Sequence, residues 1–357
     1  MKHELHESLA RMRDNAWSGS ERCPPTTKGT TMLRAQYHQR GPAPHELIEA
    51  VEFDTPELQE GEVLLELLAA PINPSDVLTI TGQYGILPPL PAFAGNEGVG
   101  RVAAHGPGVS DPPIGQTVLL PVGIGTWSTH MVAPAKGLVP LPNEADPVQL
   151  SMITINPPTA SLLLSEFVDL HEGDWVIQNA ANSGVGNYLV QLAKMRGLKT
   201  VNIVRRESLI EPLKAEGADV VLVDGDKLAK RVAEATGGAG IKLAIDAVGG
   251  PATDRLGSCL VPEGTLVNYG MMSGEPCHMS AALLVFKDVK VRGFWLAKWF
   301  RQATPEVQAK LFGELTKLVA TGKLKAPVHA TYSVKDIKQA VSTAAAGERD
   351  GKVIVVP

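Results

Sequence analysis

The sequence predicts an α/β fold in which a doubly wound parallel sheet is inserted into a β-rich unit. Three features carry that expectation. A strand, a small-residue turn, a helix and a second strand follow one another between Asp174 and Arg206. Beyond them, near-continuous apolar strands alternate with helices as far as Trp295, the pattern of a parallel sheet covered on both faces. Upstream, residues 33–155 read instead as short strands broken by Pro and Gly, which suggests partly antiparallel pairing with long connections.

In the first run, Trp175 to Ala180 is a strand, Ala181-Asn182-Ser183-Gly184-Val185-Gly186 a turn, the stretch to about Gly197 an amphipathic helix, and Thr200 onward a second strand ending at Arg205 and Arg206. This is the order of a dinucleotide-binding βαβ unit. The helix N-terminus offers unpaired N–H groups and a positive dipole end to a pyrophosphate, so the turn needs small residues. Ala181 and Ser183 stand where G-x-G-x-x-G has its first two glycines, and Gly186 alone holds the third. The letter of the motif fails while its physical requirement is met. An acidic residue at the end of the second strand would select NAD, whereas arginine accommodates a 2′-phosphate. Arg205 and Arg206 therefore point to NADPH, since a guanidinium fork pairs bidentately with phosphate oxygens. The bland alternative is a pair of solvated charges at a strand end.

Later elements are expected as helices over 208–216, 227–235, 251–259, 306–319 and 334–343, and as strands over 219–224, 242–248, 265–269, 289–295, 328–332 and 352–356. In the β-rich unit the strands are 63–69, 98–104, 117–121 and 129–132. The run Ile86-Leu87-Pro88-Pro89-Leu90-Pro91 cannot supply ladder donors regularly and is expected as an ordered loop. Residues 1–31 mix charges and end in Pro24-Pro25-Thr26-Thr27, which is loop or disorder chemistry and fits neither a secretory signal nor an acid-poor transit peptide.

With 357 residues, 44% of them hydrophobic, the chain can bury a sizeable core in two domains. A formal charge of -5 gives no electrostatic reason to expect nucleic acid or an anionic membrane as partner. Three scattered cysteines, Cys23, Cys259 and Cys277, suggest a reducing compartment and form no disulfide framework. The expectation is a cytoplasmic enzyme, with the mitochondrial matrix as the alternative.

Several segments together carry a resemblance: Asn73-Pro74-Ser75-Asp76, Ile80-Thr81-Gly82-Gln83-Tyr84-Gly85, Gly95-Asn96-Glu97-Gly98-Val99-Gly100, Ile177 through Gly186, Val204-Arg205-Arg206, Gly293-Phe294-Trp295-Leu296 and Gly351-Lys352-Val353. In this order they resemble the medium-chain dehydrogenase/reductase superfamily, and within it the 2-enoyl thioester reductases related to mitochondrial trans-2-enoyl-CoA reductase. The resemblance spans nearly all of Met32 to Pro357. It implies a doubly wound Rossmann domain, 156–296, inserted in a GroES-like catalytic domain formed by 32–155 and 297–357, with 1–31 as a disordered extension.

The alcohol dehydrogenase branch of that superfamily holds a catalytic zinc through Cys and His. Asn73 and Asn96 lie near those positions here, and amides replace thiolate and imidazole poorly, so a zinc-free enzyme is expected. Without a metal Lewis acid, the reaction must develop a charge that dipoles can hold, as in reduction of an α,β-unsaturated thioester. The resemblance implies NADPH-dependent reduction of trans-2-enoyl-CoA or enoyl-acyl-carrier-protein in fatty acid metabolism.

Tyr84 matches the family's proposed proton donor, and a phenol is protonated at neutral pH as a general acid must be. Trp295 is implied to line the nicotinamide and acyl pocket. Cofactor contacts are implied at Asn156, Asn182, Ser183, Gly184, Val185, Gly186, Arg205, Arg206, Tyr269, Gly270, Met271, Met272, Phe294, Trp295, Leu296 and Lys352. A homodimer is implied, through pairing of the strand near Val289 to Trp295. The family often ends its second strand in Arg-Asp-Arg, but this chain has Arg205-Arg206-Glu207, which leaves open which arginine grips the phosphate. Two rival readings remain: an NADPH:quinone oxidoreductase or other activated-alkene reductase, and a non-catalytic NADPH-binding regulator.

Overall fold

A computed structural model describes residues 31–347 and 349–357, and Met32–Pro357 form one compact unit. The extension expected over 1–31 lies outside the described residues, apart from Thr31. A three-stranded antiparallel sheet is built from β1 (Met32–Tyr37), β2 (Ile48–Phe53) and β4 (Ala92–Phe93), in the order β2-β1-β4. A larger sheet contains β3 (Glu62–Pro71), β5 (Val99–His105), β6 (Thr117–Leu119), β7 (His130–Pro134) and β8 (Val139–Pro140). It is completed by the last two strands of the chain, β15 (Val328–Ser333) and β16 (Lys352–Val356), with β16 antiparallel to β3.

The intervening chain forms a six-stranded parallel sheet from β9 (Trp175–Gln178), β10 (Lys199–Val204), β11 (Val220–Val223), β12 (Ile241–Asp246), β13 (Leu260–Asn268) and β14 (Lys290–Gly293). Its order, β11-β10-β9-β12-β13-β14, is the 3-2-1-4-5-6 arrangement of a doubly wound dinucleotide fold. Strand order reverses between β9 and β12, and ligands of such sheets bind outside the carboxyl ends of the strands at that point. The burial of Val201 through Val204 explains why that part of β10 is apolar apart from Asn202.

Two cores position the site. One joins Val63, Leu65 and Leu67 of β3 to Ile337, Val341, Val353 and Val355, so the chain's end completes the hydrophobic centre of its beginning. The other joins Ala69, Val99 and Ile354 to Val176, Tyr188 and Leu189, packing the large sheet against the helix Gly184–Met195. Burying a Leu or Ile side chain stabilises by about 1.5–3 kcal/mol, so this shared core holds the helix that follows the glycine turn against the β3–β16 pair.

Differences from the sequence expectation have local causes. The helix expected over 334–343 is a 3₁₀ turn, Val334–Asp336, followed by a helix Ile337–Ala345. The helices Pro74–Thr81 and Asn156–Leu163 were not expected; each has proline in its first turn, where proline's fixed φ suits the helix. Among the described residues no helix is long and apolar enough to cross a membrane.

Candidate active site

The turn after β9 accounts for the irregular glycine pattern. Ala180, not Ala181, takes a left-handed φ of 47°, and Ala181 is fully buried in an apolar cluster. Ser183 has extended backbone and caps the helix Gly184–Met195, its hydroxyl accepting from the Gly186 N–H at 3.1 Å. Neither position needs glycine. Gly186 does, because a Cβ there would lie 2.4 Å from the Ala181 carbonyl oxygen. At Gly184, a Cβ would meet Asn156 and Lys352, each at 3.2 Å, so those two side chains sit directly against the start of the helix.

Beneath this turn lies a buried polar network. The Asn73 Nδ2 donates to Glu97 Oε1 at 2.6 Å, while Asn73 Oδ1 accepts from Asn156 Nδ2 at 2.9 Å and from Lys352 Nζ. The other Glu97 oxygen accepts from the Ile155 N–H at 2.9 Å. Asp76 closes a capping box on Asn73, accepting from its N–H at 2.7 Å, and accepts from Asn96 Nδ2 at 2.7 Å. Burial pushes Asp76 up to about 6, opposed mainly by the hydrogen bond from Asn73. Burial likewise raises Glu97, opposed by the Lys352 ammonium, and lowers Lys352, opposed by Glu97. The Tyr188 hydroxyl is buried without a hydrogen-bond partner among the described residues, and burial raises its phenol.

A third buried carboxylate sits at the switch point. Asp246 ends β12 and accepts from Asn179 Nδ2 and Thr253 Oγ1, each at 2.6 Å, from the Val248 and Gly249 N–H groups, and from Asn268 Nδ2. It ties the ends of β9, β12 and β13 together. Tyr269, Gly270, Met271 and Met272 follow β13; the Met272 N–H donates to the Ala247 carbonyl at 3.1 Å, and both methionines are exposed. A Cβ on Gly270 would stand 2.6 Å from that carbonyl, so the glycine permits the close turn. Burial raises the Tyr269 phenol, with the Ser183 hydroxyl opposing.

Arg205 and Arg206 follow β10. Arg205 donates to the Gly347 carbonyl at 3.2 Å and Arg206 faces Asp350 at 3.5 Å, both partners in the segment that leads to Lys352. Both arginines retain exposed surface toward which a phosphate could approach.

On the other side, Gly82 ends the helix Pro74–Thr81 with a left-handed φ of 84°, and the N–H groups of Gln83 and Tyr84 both return to the Leu78 carbonyl. That ending fixes the Tyr84 backbone. Trp295, immediately after Gly293-Phe294 at the end of β14, donates its Nε1–H to the Tyr84 hydroxyl at 3.1 Å, with the rings edge to face at 6.1 Å. Gly85 lets the indole lie over the loop, since a Cβ there would come 3.3 Å from the ring. Phe294 packs edge-on against Phe167, and Arg301 stacks over the Trp295 ring at 5.0 Å. Leu296 opens the helix that follows.

The structure thus brings together Tyr84 with Trp295, and separately Asn156, Gly184 and Lys352. Sequence reasoning missed Glu97 and Asp76 as members of the site. The Asn73-x-x-Asp76 capping-box spacing is the signal that could have found Asp76; a lone glutamate between glycines carries no such pattern.

Residues 59–143 match the alcohol dehydrogenase GroES-like domain family and residues 184–312 the zinc-binding dehydrogenase family. The chain is 37% identical over 315 residues to the mitochondrial enoyl-[acyl-carrier-protein] reductase of Rattus norvegicus, covering 87% of this chain and 84% of the relative. Among solved structures, one resembling it is a protein from Bacillus thuringiensis provisionally assigned as an NADPH:quinone reductase, with TM-score 0.83 and 32% identity. Another is Etr1p in complex with NADP and crotonyl-CoA, with TM-score 0.82 and 26% identity; each covers 92% of this chain and all of the solved one. The chain belongs to the mitochondrial-type enoyl-[acyl-carrier-protein] reductase family of the medium-chain dehydrogenase/reductase superfamily.

Proposed function

We propose that the protein reduces trans-2-enoyl thioesters to saturated acyl thioesters with NADPH. The single observation that carries the mechanism is the Trp295 Nε1–H bond to the Tyr84 oxygen. Because that oxygen accepts from the indole, its own O–H is free to point away from Trp295 and donate. When bound, NADPH supplies the hydride that adds to the β-carbon of the substrate. The Tyr84 phenol then gives its proton to the α-carbon, the carbon–carbon double bond becomes single, and the tyrosine recovers a proton from water.

The residues present fit the cofactor. Gly186 lets the first turn of the helix Gly184–Met195 pack against the Ala181 backbone, and that helix would present its N-terminus to the pyrophosphate. Arg205 and Arg206 would hold the 2′-phosphate, and Asn156 and Lys352 would lie beside the first turn of that helix. Gly270 would let the backbone at Tyr269 to Met272 approach closely. The same reading divides the chain into a catalytic domain of 32–155 and 297–357 and a cofactor domain of 156–296.

A homodimer through β14 belongs to this reading. That strand is exposed along its length at the edge of the parallel sheet; Val291 within it is 43% exposed, and Val285 and Phe286 of the preceding helix are 70% and 84% exposed. As to compartment, the related rat enzyme is mitochondrial by name, which favours the matrix alternative over the cytoplasm.

The rival is quinone reduction, favoured by the likeness to the Bacillus thuringiensis protein. Loss of NADPH absorbance with crotonyl-CoA, longer enoyl-CoA thioesters and a quinone separates the two. Turnover of the thioesters is expected, and turnover of quinone alone would replace the proposal with its rival.

A further inference from the structure

Glu97 belongs to no contact that the cofactor or substrate would make, yet it is the fully buried end of the chain of side chains that reaches the glycine turn. A carboxylate only accepts hydrogen bonds. Its two oxygens therefore demand two donors, and the Ile155 N–H and the Asn73 Nδ2 supply them. The first is backbone and cannot change. The second has a choice, because an amide can present either its oxygen or its nitrogen, and Glu97 removes that choice. With the Asn73 nitrogen committed to Glu97, its oxygen must face Lys352 Nζ and Asn156 Nδ2, both donors. Those two side chains touch the position of Gly184, where the helix N-terminus begins.

We propose that Glu97 is a positioning residue for the nicotinamide cofactor: by fixing the orientation of the Asn73 amide it holds Lys352 and Asn156 in place against the turn at Gly184. The inference rests on the cofactor reading above and adds to it a residue that never touches the cofactor. It differs from a role in stability alone. Asp246 illustrates the latter, since every donor it accepts from belongs to the strand ends, the turn after β12 or the helix Pro251–Ser258 that it ties together.

Glu97→Gln supplies only one acceptor oxygen for two donors. Either the Ile155 N–H is left facing an NH2 group, or the Asn73 amide turns and presents its own NH2 to the Lys352 ammonium. Adding Asn73→Asp restores every bond, reversing the polarity only of the one between positions 97 and 73: the new carboxylate accepts from the glutamine NH2, from Lys352 and from Asn156, while the glutamine oxygen accepts from Ile155. Aspartate is also a good N-cap for the helix Pro74–Thr81.

The experiment is fluorescence titration of NADPH into the wild type, Glu97→Gln, and the double variant Glu97→Gln/Asn73→Asp, with a thermal melt of each. One buried donor left without its acceptor predicts that Glu97→Gln weakens NADPH binding about tenfold or more. The double variant should recover to within about threefold of the wild type by the same estimate. Steady-state kinetics should show the single variant's effect in KM for NADPH more than in kcat. Unchanged NADPH affinity in Glu97→Gln overturns the inference, as does a folded double variant that binds no better than the single one. If the single variant does not fold, the double variant decides: wild-type-like affinity supports the inference and weak affinity overturns it. A wild type that binds no NADPH would instead overturn the cofactor reading.

Discussion

Asn73, Glu97, Asn156 and Lys352 are at most 5% exposed and bonded to one another, whereas Tyr84 and Trp295 are only partly buried and share one hydrogen bond. The buried floor under the glycine turn and the open mouth at Tyr84 therefore respond differently to damage. In the floor, removing one partner strands another in a place water cannot reach, so binding and stability change together. At the mouth, water replaces a lost partner, and only the chemistry is at stake.

The sharpest way to break this comparison is Tyr84→Phe. The edge-to-face contact with Trp295 survives the substitution, and the indole N–H can turn to solvent. Loss of a general acid predicts a fall in kcat of about 10²–10⁴ with crotonyl-CoA. Folding stability should stay within about 0.5 kcal/mol of the wild type, as for a surface substitution. Parallel steady-state assays and urea unfolding check both halves. Wild-type turnover would remove Tyr84 from the chemistry, and a large loss of stability would mean that the mouth is built like the floor.

The arginines after β10 come next in size. They are more open than the floor, yet each is already directed by the Gly347–Asp350 segment. Replacing both Arg205 and Arg206 by Ala removes charge-assisted bonds worth about 1.5–3 kcal/mol apiece to a phosphate. NADPH affinity should fall by about 10²–10⁴-fold while NADH affinity changes little, as fluorescence titration of the two cofactors would reveal. An equal loss for both would detach these residues from the 2′-phosphate.

The sequence made the parallel sheet legible because its strands are buried on both faces and its helices are amphipathic, so β9, β10 and β12 stand within a few residues of expectation. Arg205 and Arg206 were legible from their place at the end of the second strand, whereas Tyr84 and Trp295 were legible only as family matches. The floor was largely illegible, for a physical reason. Its bonds join Asn73, Glu97, Asn156 and Lys352, which are separated by up to 279 positions, and no local period reports a contact made across two domains' worth of chain. Lys352 was expected at the cofactor, but nothing in Gly351-Lys352-Val353 says that its amino group reaches Asn73.

Asp76 offers the finest test of the floor, because there the expected effect depends on pH. Its folded value of about 6 lies above the ordinary value of 3.8, since burial disfavours the charged form. Between those two values the folded protein holds a proton that the unfolded chain has released. Stability contributed by this group is therefore greatest below about pH 4, declines as pH rises toward 6, and stays reduced above that. Lys352 and Glu97 face the same network and titrate in both wild type and variant, so the comparison between the two isolates Asp76. Asp76→Asn keeps an acceptor for only one of the two donors, Asn73 N–H and Asn96 Nδ2, at a pH-independent cost of about 1–3 kcal/mol. It also abolishes the cost of ionisation. The variant's deficit in urea unfolding should accordingly be largest near pH 4 and shrink by about 1–3 kcal/mol on reaching pH 7, an order-of-magnitude conversion of the shift. A deficit of constant size across that range would mean that Asp76 stays charged throughout, and that the polar floor is wetter than its burial implies.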